Sequence, residues 1–177
     1  TMPAPPVPDA FESYLMFVVD KVWYPSPPPG WPAALAIGVL LGVPWLVNPV
    51  LAGANVLLSY LLLQELYSRR TARLGLLLLG FSPWFILMGM NFMTHMFTLL
   101  CTLLAVIGVA WARRTGRAGW AWLGGISLGM IAVIRPLEAA AMAGLLGLWA
   151  IGVGGKRLKP ASIAGLTLGA LLVAVTV

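Results

Sequence analysis

Residues 94–117 read THMFTLLCTLLAVIGVAWARRTGR, an apolar run that ends in a cluster of arginines. The apolar part, residues 94–111, approaches the roughly 20 residues that a helix needs to span the hydrocarbon core of a bilayer. The arrangement recurs along the chain, because nine of the 11 basic residues fall into three clusters between long apolar runs: Arg69, Arg70, Arg73; Arg113, Arg114, Arg117; and Lys156, Arg157, Lys159. The sequence therefore predicts a polytopic membrane protein.

The composition favours the same class. The chain has 177 residues, of which 60% are hydrophobic and 9% charged, and its mean hydropathy is +0.95, whereas soluble domains carry about 25% charged residues. The net charge of +6 lies mainly in loops between apolar runs, which is typical of cytoplasmic loops rather than of a nucleic-acid-binding surface. We expect an all-α fold, a polytopic transmembrane helix bundle with an external juxtamembrane segment, and no nucleic-acid partner.

The distribution of apolar and polar residues predicts three regions. Residues 1–31 form a polar, Pro-rich head and are expected to be an external loop. Residues 32–46 are apolar but short; they are expected to be a juxtamembrane or re-entrant helix, and a membrane crossing is the alternative. Residues 47–177 are expected to form the transmembrane bundle of about six helices, the last one truncated. The predicted helices cover residues 50–67, 74–90, 94–111, 119–134 and 137–153, and the last one opens at Pro160.

The basic clusters also predict the topology, because short loops rich in Lys and Arg stay in the cytoplasm. Counting crossings from these loops places Asn48, His95, Arg135 and Glu138 together at the outer face. If residues 32–46 do not cross the membrane, the polar head lies at the outer face as well.

Arg135 is the most informative single residue, since a charge at the end of an apolar helix must snorkel, pair or line a cavity. Either it pairs with Glu138 one turn along, or its guanidinium binds an anionic group such as a lipid phosphate. His95, the single histidine of the chain, is either a hydrogen-bonded helix-end residue or a group that contacts phosphate or transfers a proton. Asn91 or Thr94 is expected to cap the helix that starts here.

Other polar residues have a structural and a functional interpretation. Asp9, Glu12 and Asp20 in the head are either solvated loop residues or candidates for a catalytic base. Lys21 pairs with its neighbour Asp20 or contacts a phosphate.

Three expectations concern packing and metal binding. Glu65 is expected to pair with Arg69 at the i, i+4 spacing, and Cys101 to be a small packing residue. One histidine, one cysteine and five scattered acids give no metal-ligand spacing, so no cofactor is expected.

Several short motifs occur along the chain in a fixed order: YPSPPPGWP (24–32), VNP (47–49), ELYSRR (65–70), FSPWF (81–85), MTH (93–95) and IRP (134–136). This ordered set resembles the bacterial GT-C superfamily of integral-membrane glycosyltransferases, which are related to protein mannosyltransferases and lipid A aminoarabinose transferases. The resemblance covers roughly residues 12–153.

The resemblance implies transfer of a sugar from a polyprenyl-phosphate carrier to an acceptor glycan, lipid or protein at the periplasmic or extracellular face of the bacterial inner membrane. It places residues 1–31 at the end of the first periplasmic loop, His95 facing the active site, and Arg135 near the carrier phosphate. Other partners would be membrane lipids, and a divalent metal occurs in some relatives. The phosphate-binding candidates are Arg135, His95, Lys21, Asn91 and Glu138.

One departure from the family concerns the catalytic acid, which in relatives follows a first transmembrane helix. The chain begins without Met and stops inside an apolar run, and it lacks that helix, so we expect a fragment whose catalytic acid lies upstream of Thr1. Asp9, Glu12 and Asp20 fall late in the loop and are weaker candidates. The alternative is a non-enzymatic transporter or flippase, or a structural helical bundle.

Overall fold

The computed structural model describes the backbone of residues 2–3, 16–19 and 22–25 and the whole of residues 29–175. Three short strands, β1 (Met2–Pro3), β2 (Met16–Val19) and β3 (Val22–Pro25), form an antiparallel sheet in the order β1-β3-β2. The helices are α1 (Gly30–Leu40), α2 (Val47–Leu66), α3 (Arg69–Gly80), α4 (Pro83–Met90), α5 (His95–Thr115), α6 (Ala118–Ile134), α7 (Pro136–Ala150) and α8 (Pro160–Val175). The expected all-α helix bundle is confirmed for residues 29–175.

Two helices among the described residues are long and apolar enough to cross a membrane. They are Pro44–Leu66, in which a 3-10 turn continues into α2, and α5, with 23 and 21 residues respectively. α3 and α4 would together make a third span, although they are bent by 60° where they meet. Many large apolar side chains of the helices are exposed, as expected for surfaces that face lipid. The architecture is therefore that of an integral membrane protein.

The predicted single helix over residues 74–90 is wrong, because the structure divides this stretch into α3 and α4. Pro83 occupies the first position of α4; its ring carries no N–H and is incompatible with the interior of a helix but suits a helix start. The hydroxyl of Ser82 accepts a hydrogen bond from the backbone N–H of Phe85, 3.5 Å away, and so caps α4. Between residues 47 and 175 the bundle thus has seven α-helices, one more than the sequence predicts.

The apolar segment 32–46 contains α1, a short loop and the 3-10 turn. α1 has 11 residues and a length of only about 16 Å. Trp31 at its start bonds to the loop before α5, and Gly38 near its end packs against Val47, the first residue of α2. Hydrogen bonds join that loop to the start of α2. Both ends of α1 therefore lie at the same end of the bundle, which favours the juxtamembrane interpretation over a crossing.

Helix α6 packs backbone to backbone against α5 and α8. A Cβ atom placed on Gly108 of α5 would lie 2.8 Å from the amide nitrogen of Gly124, and one placed on Gly125 would lie 2.3 Å from the carbonyl oxygen of Leu166. Such an approach is open only to glycine. Glycines at these positions therefore allow α6 to contact α5 and α8 closely at the centre of the bundle.

The predicted pair between Glu65 and Arg69 is wrong. The carboxylate of Glu65 instead binds Nη1 of Arg114 at 2.7 Å and accepts a hydrogen bond from Nε1 of Trp111 at 3.3 Å. α2 ends at Leu66, so Arg69 starts a new helix and the i, i+4 spacing within one helix does not apply. Glu65 thereby ties α2 to α5.

The three basic clusters lie at one end of the bundle. Nε of Arg113 donates to the carbonyl oxygen of Lys156 at 2.8 Å, which joins the second cluster to the third. The pair of Glu65 with Arg114 brings the second cluster to the end of α2, where the first cluster begins. The grouping predicted from the crossing count is therefore confirmed. We name this region the basic end. The opposite end is the region where α2, α5 and α7 begin and α6 ends.

Candidate functional site

The opposite end is organised around the loop between α4 and α5, residues 91–94. Two side chains from other helices bind its backbone carbonyl groups. Nε1 of Trp31 donates to the carbonyl oxygen of Phe92 at 2.9 Å. Nδ2 of Asn48 donates to the carbonyl oxygen of Met93 at 3.1 Å and also contacts that of Asn91. These contacts fix the loop that leads into His95.

A second buried asparagine, Asn55, extends this contact along α2. It is 0% exposed and donates through Nδ2 to the carbonyl oxygen of Met96 at 2.8 Å. Asn48 and Asn55 are two turns apart and lie on the same face of α2. The Oδ1 atoms of both are buried without a hydrogen-bond partner. The sequence interpretation missed Asn55, although a lone amide inside an apolar helix is a signal for an interhelical contact.

Arg135 is the centre of the candidate site. It lies between α6 and α7 with an extended backbone, because the proline that follows disfavours the helical conformation of the residue before it. Its Nε and Nη2 lie 3.3 and 3.2 Å from the hydroxyl of Thr94. Nη2 is also 3.1 Å from Nδ1 of His95, and Nη1 binds the carboxylate of Glu138. One guanidinium thus joins α5 to α7.

These contacts test the structural interpretations of Arg135 and His95. Arg135 pairs with Glu138 and His95 is a hydrogen-bonded residue at a helix start, so the structural interpretations of these residues are confirmed. A role in binding an anion stays a prediction. The side chains of Arg135 and Glu138 are 33% and 48% exposed, so the pair is accessible from outside the bundle.

The contact with Arg135 also indicates which nitrogen of the His95 imidazole carries the proton. A guanidinium has donors and no acceptor, so Nδ1 of His95 accepts from Arg135 and the proton of the neutral ring is on Nε2. Nε2 then carries an N–H donor, the kind of group that binds an anionic oxygen.

The predicted caps of α5 are wrong. Thr94 stands at the cap position, but its hydroxyl makes no cap hydrogen bond and instead accepts from Arg135. Asn91 forms a local turn, in which Oδ1 accepts from the backbone N–H of Met93 at 2.8 Å. Nδ2 of Asn91 donates to the carbonyl oxygen of Leu87 at 3.2 Å. Asn91 therefore shapes the loop and does not contact Arg135 through its side chain.

The remaining predicted residues lie outside the described residues: Asp9, Glu12, Asp20 and Lys21. Within residues 29–175, no three His, Cys, Asp or Glu side chains come together in a way that could hold a metal ion. Cys101 is buried and packs with residues of α6 and α7, which confirms its predicted role in packing.

An apolar groove lies beside the site. It has a volume of about 380 Å³ and runs between α1, the 3-10 turn and α2. Its lining includes Ile37, Leu41, Val50 and Phe97. The ring of Phe97 also packs against Trp31, with ring centroids 6.0 Å apart. The groove therefore adjoins the helix that holds the loop before His95.

In comparisons with known proteins, no family model, no curated protein and no solved structure matched the chain. The function is therefore inferred from the geometry of the opposite end together with the ordered motifs of the sequence.

Proposed function

We propose that this chain belongs to a membrane glycosyltransferase that moves a sugar from a polyprenyl-phosphate carrier to an acceptor at the outer membrane face. One observation carries the proposal: Arg135, His95 and Thr94 converge at the end of the bundle opposite the basic clusters. Among residues 29–175, Arg135 is the one basic residue outside those clusters. A guanidinium at this end, beside a hydroxyl and an imidazole, is suited to bind a phosphate.

The chemistry of these side chains suits a phosphate. The guanidinium of Arg135 presents parallel N–H donors that match two phosphate oxygens. His95 adds the N–H of Nε2, and Thr94 adds a hydroxyl. Glu138 holds part of the guanidinium in the absence of an anion, and its exposed carboxylate would be displaced when phosphate binds.

The apolar groove between α1 and α2 supports a substrate that is carried by a lipid. Its lining is apolar and open, which suits an isoprenoid chain rather than a free nucleotide sugar. The carrier would lie along the membrane-facing side of α1 with its phosphate at Arg135. The acceptor glycan, lipid or protein would approach from the aqueous side.

In the proposed reaction, an acidic residue deprotonates the acceptor hydroxyl, which attacks the anomeric carbon of the donor sugar while the bond to the carrier phosphate breaks. The negative charge that develops on the departing phosphate is stabilised by Arg135 and by the N–H of His95. In this chain the acid candidates are Asp9, Glu12 and Asp20. By the positive-inside rule, the basic end is cytoplasmic and the site is periplasmic or extracellular, in a bacterial inner membrane.

Binding of the carrier tests the proposal. The chain in nanodiscs is titrated with undecaprenyl phosphate and with undecaprenol, which lacks the phosphate. We expect at least roughly tenfold tighter binding of the phosphate form, and loss of this preference in Arg135→Gln. Arg73→Gln, at the basic end, is the matched control and should keep it. Equal binding of the two lipids, or an unchanged preference in Arg135→Gln, would contradict the proposal.

Folding is controlled with a second variant. Arg135→Lys keeps the positive charge but loses the planar fork, so it should retain part of the preference for phosphate. Unfolding midpoints of Arg135→Gln and Arg135→Lys measured side by side separate loss of binding from loss of structure.

A second function, a transporter or flippase half, is favoured by the break between α3 and α4 with its bend of 60°. Interrupted helices are typical of transporters, although here the polar cluster of Arg135 lies at the end of the bundle. Proteoliposomes that contain a fluorescent polyprenyl phosphate distinguish the two functions. Protein-dependent exposure of inner-leaflet lipid to an external quencher would support the flippase, and its absence would favour the enzyme.

A further inference from the structure

The loop between α7 and α8 lies against the end of α5, so two of the basic clusters are neighbours at the basic end. Nε of Arg113 donates to the carbonyl oxygen of Lys156 at 2.8 Å. The guanidinium of Arg113 also lies over the ring of Trp149, 4.7 Å from its centroid. Lys159 approaches Gly116, where a Cβ atom would lie 3.0 Å from its Nζ. Residues of the second and third basic clusters are thereby held side by side.

The loop that carries these lysines is anchored. Leu158 is buried in the core formed by α5, α6, α7 and α8, and its backbone N–H donates to the carbonyl oxygen of Ala150 at 2.9 Å. Gly152 and Gly155 have φ angles of 110° and 151°, a region that side chains disfavour, and they let the chain turn back on α7. The cations on either side of Leu158 are therefore set in place rather than carried on a free tail.

These cations have no carboxylate partner among the described residues. The two acids within residues 29–175 are Glu65 and Glu138, and they pair with Arg114 and Arg135. Lys156 and Lys159 are exposed. No carboxylate within residues 29–175 therefore neutralises these three cations.

We infer that Arg113, Lys156 and Lys159 form a binding site for the phosphate headgroup of an anionic phospholipid in the leaflet at the basic end. Basic pockets between transmembrane helices are suited to anionic lipid headgroups. The lipid is favoured as the source of the phosphate because α7 and α8 on either side of the loop expose large apolar side chains, such as Leu148 and Leu168. This site is separate from Arg135 and does not rest on the proposed transfer reaction.

The test compares two charge-matched variants. The chain is purified from membranes that contain phosphatidylglycerol and phosphatidylcholine, and the retained lipid is counted by native mass spectrometry. We expect selective retention of phosphatidylglycerol, reduced roughly tenfold in Lys156→Gln/Lys159→Gln. Arg69→Gln/Arg70→Gln removes the same charge from the first cluster and should change retention less than about twofold. Equal losses in the two variants, or no preference for phosphatidylglycerol, would overturn the inference.

A competition experiment addresses the source of the phosphate. Inorganic phosphate is added to the lipid-bound chain, with sodium chloride at the same ionic strength as the reference. Retention of phosphatidylglycerol should be equal under the two conditions. Displacement by inorganic phosphate alone would show that the site takes the free anion and would overturn its assignment to a lipid.

Discussion

Trp31 at the start of α1 donates its indole N–H to the carbonyl oxygen of Phe92, 2.9 Å away and 61 residues further along the chain. The juxtamembrane helix is thereby fastened to the loop that leads to Thr94 and His95. The indole ring is buried and packs against Phe97 of α5. The position of the candidate site therefore depends on α1 as well as on the helices that carry its side chains.

Replacing Trp31 by Phe tests this connection. Phe keeps an aromatic ring against α5 but has no N–H to donate, so the free energy of unfolding should fall by about 1 kcal/mol or more. Unfolding in mixed micelles gives the measurement. Trp84→Phe is the control, because Trp84 is 69% exposed and its replacement should cost less than about 0.5 kcal/mol. Equal costs at the two positions would rule out the role of the Trp31 hydrogen bond.

Two substitutions of Asn55, by Asp and by Leu, should differ in their effect on the free energy of unfolding. Asn55→Asp would place a carboxylate at a buried position that no cation among residues 29–175 contacts, at a cost of about 3 kcal/mol or more. Asn55→Leu removes the donor and the unpaired Oδ1 together, so its cost should be smaller, about 1 kcal/mol. Reversible unfolding of the two variants provides the comparison. If Asp were tolerated better than Leu, the site would have to contain a donor that the structure does not show.

The contact between α6 and α8 predicts opposite effects for two glycines of the same helix. Gly125→Ala would drive a Cβ atom to 2.3 Å from the carbonyl oxygen of Leu166 and should destabilise the protein by roughly 2 kcal/mol. A Cβ atom on Gly119 meets no atom within 4 Å, so Gly119→Ala should be neutral or stabilising by up to about 1 kcal/mol. Thermal unfolding of both variants tests the packing. Similar destabilisation by both would mean that α6 and α8 are not in backbone contact.

If Arg135 binds the carrier phosphate as proposed, Glu138 should compete with that phosphate for the guanidinium. Glu138→Gln removes the carboxylate that binds Nη1, so the affinity for undecaprenyl phosphate should rise, by roughly threefold to tenfold. Titration in nanodiscs gives the affinity, and Glu65→Gln at the basic end is the control with the same chemistry. A fall in affinity specific to Glu138→Gln would instead give Glu138 a direct role in holding Arg135 in its binding orientation.

Cysteine labelling tests the orientation of the bundle. In a Cys101→Ala background, Met93→Cys should react with a membrane-impermeant maleimide added outside intact cells, because the basic clusters predict that the loop before α5 lies on the outer side. Val153→Cys, in the loop after α7, should react only after permeabilisation, since basic loops stay inside. Both side chains are exposed, so accessibility is decided by the membrane alone. The reverse pattern would invert the topology and exclude an outer site at Arg135.

The helical class and the grouping of residues at the two ends can be predicted from the sequence. The length of each apolar run and the positions of the Lys and Arg clusters can be read directly from a single sequence. Helix ends were less predictable. A proline at position 83 is compatible with a kinked helix or with the start of a new helix. The hydrogen bond between Ser82 and the backbone of α4 shows that it starts a new helix, and the sequence pattern alone does not predict that bond.

The partners of the charged residues were partly predictable. Arg135 and Glu138 are neighbours on the chain, and their spacing alone predicts the pair. Glu65 has a partner 49 residues away, and Thr94 turns its hydroxyl to Arg135 instead of capping α5. These contacts are decided by which helices meet in three dimensions, so local spacing gives the wrong partner in both cases.

The glycine contact between α6 and α8 has a consequence for the order of assembly during synthesis. α6 leaves the ribosome before α7 and α8, so the part of its surface that carries Gly125 and Gly129 has no contact with α8 until residues 160–175 have been made. Helices insert first and associate afterwards. The ribosome must therefore add more than a whole further helix before the centre of the bundle can close. Slowing translation between residues 135 and 160 should prolong the lifetime of an open, protease-sensitive intermediate.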